Sequence, residues 1–116
     1  MLTYLPENVQ PDPEALSNGA SINNDGHGFA IVAGNRLIIR HGMDPEVVID
    51  HFMRLRAKHR HGPALFHSRW STAGMVGKSN CHPFRIRGDR RTVLAHNGVF
   101  PGIAQPQRGD KRSDTR

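Results

Sequence analysis

The stretch NNDGHGFAIVAGNRLIIR, residues 23–40, decides how the chain is read. Asn23-Asn24-Asp25-Gly26 is a cluster of turn-forming residues. An apolar run over 29–33 follows, rich in the residue types that suit a pleated surface. Gly34-Asn35 can take the positive φ of a tight turn, and 37–40 reads as the returning strand. The unit is therefore a β-hairpin, and at least part of the protein is antiparallel sheet.

On both sides of the hairpin the sequence starts a helix in the same way. Asp44-Pro45-Glu46 places a capping carboxylate, a proline at the first helical position and an acid in the first turn. Val48, Phe52 and Leu55, backed by Ile49 and Met53, then fall on one face of a helix expected to run to about residue 59. Upstream, Asp12-Pro13-Glu14 repeats the signal, and a short helix over 13–22 is expected, weakened by Gly19. Residues 2–5 read as a strand ahead of it. Gly62-Pro63 closes the second helix, and 64–70 reads as a further strand. A glycine-bearing loop covers 71–80. A second hairpin, with strands over 84–87 and 92–96, turns at Gly88-Asp89. From Gly102 onward the chain is polar, basic and aperiodic, and 102–116 is expected to be a loose basic tail. The order strand, helix, hairpin, helix, strand, hairpin predicts an α+β domain built mainly on antiparallel sheet.

Composition narrows the classes of function. The chain has 116 residues, enough for one domain, with 36% hydrophobic and 6% aromatic residues. Its formal net charge of +6 could draw it to nucleic acid, but 8 of its 16 Lys and Arg residues lie from Arg85 onward. Few aromatics are present for stacking on bases, and no nucleic-acid motif is recognisable. Cys81 is the single cysteine, so an internal disulfide is excluded. The first residues carry neither a basic stretch nor a long apolar run, and no segment has the length of a membrane span. A cytoplasmic location is the default expectation. The eight histidines lack the spacing of a metal set, so neither metal nor cofactor is expected. The Gly74–Ser79 region fails as a phosphate loop because the required GxxxxGK(S/T) spacing is not met.

Three clusters could carry chemistry. Asn24-Asp25-Gly26-His27-Gly28 suits a place where backbone approaches something closely, or merely leads into a hairpin. In His67-Ser68-Arg69-Trp70-Ser71-Thr72 the arginine could hold a carboxylate bidentately beside the tryptophan, or sit on the surface. In Leu94-Ala95-His96-Asn97-Gly98-Val99 a strand ends in Asn-Gly. That dipeptide sets an amide side chain next to a backbone N–H, as an oxyanion hole requires, and is also a common turn.

Taken together and in order, His67-Ser68-Arg69-Trp70, then Asn80-Cys81-His82-Pro83-Phe84, then His96-Asn97-Gly98 resemble the class II glutamine amidotransferases, which are N-terminal nucleophile hydrolases. The closing Ser113-Asp114-Thr115 is similar to the Ser/Thr-Asp-Thr-Glu segment of that family. The resemblance implies a four-layer αββα sandwich, of which this chain holds the first half. It implies release of ammonia from the side-chain amide of glutamine through a cysteinyl thioester, with a synthase domain or subunit as acceptor of the ammonia. By the same resemblance Arg69 holds the α-carboxylate of glutamine and Asp114 its α-ammonium. Asn97 and Gly98 form the oxyanion hole, and Trp70 and Thr72 shape the pocket. Asp25, Gly26 and His82 frame the site. The family begins Met-Cys, whereas this chain begins Met1-Leu2-Thr3, so the nucleophile is absent and both ends are expected to be cut. Cys81 lacks a free α-amine and reads as an idle thiol. The alternatives are a remnant that binds glutamine or glutamate without turnover, and a basic nucleic-acid-binding protein.

Overall fold

The computed structural model describes residues 1–72, 74–99, 107 and 109–113. Its elements run β1 (Leu2–Leu5), α1 (Pro13–Ile22), β2 (His27–Ala33), β3 (Arg36–Gly42), α2 (Pro45–Lys58), β4 (Ala64–Ser68), a single 3-10 turn (Lys78–Asn80), β5 (Phe84–Arg85) and β6 (Val93–Leu94). Four strands form one antiparallel sheet in the order β1-β4-β2-β3, and β5 pairs with β6 as a second, two-stranded sheet.

Register decides which side chains share a face, because residues directly opposite in an antiparallel pair point the same way. Phe29 lies opposite Phe66 and Ile31 opposite Ala64. These four face α1 and α2, where Leu16, Val48 and Phe52 complete the core with Leu5. The rings of Phe29, Phe52 and Phe66 sit in tilted contact, with centroids 5.2 and 5.3 Å apart. Gly28 lies opposite His67 and Ala30 opposite Leu65, on the other face of the sheet. The segment running through β5 and β6 crosses that second face. There His82 stacks on His67, and the His41 Nε2 donates to the Pro83 carbonyl at 2.8 Å. Gly28 makes this crossing possible, since a Cβ there would run into the His82 carbonyl oxygen.

The architecture is α+β with antiparallel sheets and two helices, as the sequence predicts, and is consistent with the αββα arrangement. Both helix starts form as read. The Asp12 carboxylate accepts from the Glu14 and Ala15 amides, and that of Asp44 from the Glu46 and Val47 amides. β2 starts two residues earlier than expected because His27 and Gly28 still find partners in both neighbours. The second hairpin is shorter than expected. Its turn, with Gly88 at φ 82°, takes up residues read as strand, and the His96 carbonyl is claimed by His67.

One buried residue was hidden in the helix stripe. Arg56 follows Val48 and Phe52 at a spacing of four and is fully buried. Its Nε donates to the Val9 carbonyl at 2.9 Å, and its two terminal nitrogens donate to the carbonyls of Pro6, His59 and Gly62. A planar fork can satisfy four separated carbonyls, which a lysine cannot. Burial lowers the pKa of Arg56 from its ordinary value. The side chain ties the loop after β1 to the end of α2 and to the turn before β4. Among the described residues no helix is long and apolar enough to cross a membrane.

Candidate functional site

At the carboxyl end of β4 the sheet opens into a cavity of about 280 Å³. Arg69, Trp70 and Thr72, which follow β4 directly, line one side. His82 and the Asn97-Gly98 pair after β6 line another. Six of the nine residues singled out from sequence are thus brought together. Asp25 and Gly26 stand behind this cavity and hold its edge. The Asp25 carboxylate accepts from the Ser71 amide at 2.7 Å, its own amide donates to the Arg69 carbonyl, and the Arg69 amide donates to the Gly26 carbonyl. Asp114 lies outside the described residues.

Arg69 is only 4% exposed, and one terminal nitrogen donates to the Met75 carbonyl at 3.0 Å. Trp70 swings outward and is 65% exposed, a wall of the cavity rather than part of the core. Gly98 adopts φ 127°, a conformation that suits glycine and turns the chain at the cavity rim. Among the described residues neither the Asn97 side-chain amide nor the Gly98 N–H has a hydrogen-bond partner, so both donors are uncommitted beside the cavity.

The start of the chain is held at the same place. The Met1 α-amino group donates to the Ser68 carbonyl at 2.7 Å, and the Ser68 amide donates back to the Met1 carbonyl. Ser68 itself lines the cavity. Partial burial lowers the pKa of this amine, so more of it is free base near neutrality. The Met1 side chain points away, packing by Gly19 and against the core.

His67 was missed as a site residue because a histidine in a strand reads as packing. Its Nε2 lies 3.0 Å from the His96 carbonyl, which can only accept, so Nε2 carries the proton. Among the described residues the buried Nδ1 has no partner. Burial, then the neighbouring His82 and the α-amino group, push its pKa down to about 3. The ring is therefore neutral in the folded protein while it would titrate near 6.5 when unfolded. Between those values the unfolded chain binds the extra proton, so stability falls as pH drops from about 6.5 toward 3. His27 and His41, also lowered by burial, add in the same direction. The unfolding free energy read from urea titration, and with it the midpoint, is expected to fall steadily from pH 7 to 5, by up to about 1.4 kcal/mol per pH unit for His67. A midpoint unchanged over that range would contradict the buried neutral histidines.

Two further residues shape the loop beside Arg69. Asn80 is buried, donates to the Met75 and Lys111 carbonyls and accepts from the Ser113 amide at 3.2 Å. It thereby docks residues 111–113, within the stretch read as a tail, onto the loop that also anchors Arg69. Cys81 is fully buried beside Gly26 and Met43, off the cavity, and burial raises its thiol pKa. A buried thiol held in its protonated form is a poor nucleophile. Among the described residues no group of three or more His, Cys, Asp or Glu is placed to hold a metal ion.

No curated protein matches the chain. The family model described as Glutamine amidotransferases class-II matches residues 14–113, which takes in the second hairpin, the Arg69 loop and the Asn97-Gly98 turn. With that match covering most of its length, the chain belongs to the class II glutamine amidotransferase family.

Proposed function

We propose that the cavity after β4 is a glutamine pocket laid out for hydrolysis of the side-chain amide by an N-terminal nucleophile. The observation that carries this reading is the convergence of Arg69, Trp70, Thr72, His82, Asn97 and Gly98 on one cavity, with the Met1 nitrogen bonded to Ser68 beside it. In the proposed roles Arg69 holds the α-carboxylate and Asp114 the α-ammonium, a charge pair that selects a free amino acid. Trp70 and Thr72 bound the side chain. Asp25, Gly26 and His82 hold the frame.

The chemistry follows from those positions. An α-amine titrates near neutrality and can take the proton from a thiol on its own residue. The thiolate attacks the amide carbon, and the charge on the former carbonyl oxygen is met by the Asn97 side chain and the Gly98 N–H. Collapse expels ammonia, protonated by the same amine, and leaves a γ-glutamyl thioester. Water then cleaves the thioester to glutamate and regenerates the thiol. The Met1 side chain is a thioether with no proton to lose, so Met1 itself does not supply the thiol of this mechanism. A synthase domain or subunit would be the acceptor of ammonia in an active relative.

Isothermal titration tests the binding. L-Glutamine is expected to bind saturably at millimolar concentration with no ammonia released. Glutaramic acid, which lacks the α-ammonium, should bind at least about 10-fold more weakly, the loss of one modest ionic contact. Absence of any heat with folded protein at millimolar glutamine would sink the proposal.

A further inference from the structure

A second cleft, of about 560 Å³, lies between the β2–β3 turn and the β5–β6 hairpin. Arg36, at the start of β3, lines it from one hairpin, and Arg85, Arg90 and Arg91 line it from the other. Asn35 and Leu37 complete the lining. Arg85 joins the two sides, donating to the Arg90 carbonyl at 2.8 Å and reaching the Leu37 carbonyl at 3.5 Å. A smaller adjoining cavity of about 300 Å³ is lined by Arg36 and Arg91 again. Among the described residues none of the four arginines makes an ion pair. Asp89, in the hairpin turn, is occupied locally. Its carboxyl accepts from the Thr92 side chain and the Arg91 amide, which, with a weaker attraction to the Arg91 charge, hold it below the usual carboxylate range.

Four like charges converging on one concavity repel each other, and an anion seated between them relieves that repulsion. Guanidinium forks match phosphoryl oxygens bidentately. A single phosphate carries at most about two negative charges, which balances only half of the four cations. Among the described residues no aromatic side chain lines the cleft for a base to stack on. We propose that this cleft binds a small oligophosphate, an anion bearing two or more linked phosphoryl groups. The inference does not rest on the glutamine reading, since no residue of this cleft lines the first cavity.

The test is calorimetric titration of the full chain at low ionic strength with inorganic tripolyphosphate, orthophosphate and oligothymidylate. Tripolyphosphate is expected to bind one to one, at least about 10-fold more tightly than orthophosphate. The double variant Arg36→Ala, Arg90→Ala should weaken it on the order of 100-fold, from the loss of two charge-assisted contacts. Arg54→Ala, on the exposed side of α2 and paired with Asp50, should leave affinity unchanged and serves as the charge control. Equal binding by the double variant and the parent would overturn the site, as would the lack of saturation. Oligothymidylate binding more tightly than tripolyphosphate, with the same dependence on Arg36 and Arg90, would replace the small ligand with a nucleic-acid backbone and overturn the proposal as stated.

Discussion

A chain extended by one cysteine ahead of Met1, and exposed as the first residue by removal of an initiator methionine, is expected to release ammonia from glutamine at roughly 10³-fold or more the rate of the chain itself. The register of β1 on β4 supplies the reason. Leu2 lies opposite His67, and Met1 exchanges hydrogen bonds with Ser68, so the next position back falls opposite Arg69. Alternation then puts its side chain on the face shared by Leu2 and His67, the cavity face. The added residue would bring the thiol and the free α-amine to that spot together. Cysteine to serine at the added position should abolish the gain. Asn97→Ala in the cysteine-bearing chain should lower kcat by about 10² to 10³, the usual effect of deleting one oxyanion donor, with little change in KM. A folded cysteine-bearing chain that binds glutamine yet releases no ammonia would refute the nucleophile's proposed position while leaving the pocket intact.

Replacing Arg56 by alanine is expected to destabilise the fold by about 3–5 kcal/mol. Arg56 is fully buried and donates to the carbonyls of Pro6, Val9, His59 and Gly62. Truncation leaves four acceptors without those donors and a void between α2 and the loop after β1. A small domain is stable by only about 5–15 kcal/mol, so the variant sits near the limit of folding. Arg56→Lys should recover only a minor part, because an ammonium cannot reach carbonyls on three separate segments. Urea unfolding measures both. A loss under about 1 kcal/mol for Arg56→Ala would show that water satisfies the loop carbonyls equally well.

The elements legible in the sequence were those with local causes. Asp12-Pro13 and Asp44-Pro45 start their helices because a cap and a fixed φ act within one turn. Gly34-Asn35 turns the first hairpin for a similarly local reason. Arg56 could not be read this way. It occupies the buried stripe with Val48 and Phe52, but a charged residue on a helix reads as a solvent contact until its distant carbonyls are known. The same holds for Asn80, whose partners are 5 and 31 residues away. Within the candidate site, Arg69, Trp70, Thr72, His82, Asn97 and Gly98, singled out by motif order, line one cavity. The amino terminus was not expected to dock on Ser68, because that contact spans 67 residues and depends on β1 pairing with β4. His67 was hidden because its role lies in a tautomer fixed by the His96 carbonyl.

In the proposed reading glutamine occupies the cavity after β4. The most direct measurement is an amide NMR titration of the nitrogen-labelled chain with L-glutamine. Shifts concentrated at residues 67–72 and 96–99, saturating at millimolar ligand, are the predicted result. No saturable shifts, or shifts gathered instead around Arg36 and Arg91, would contradict it.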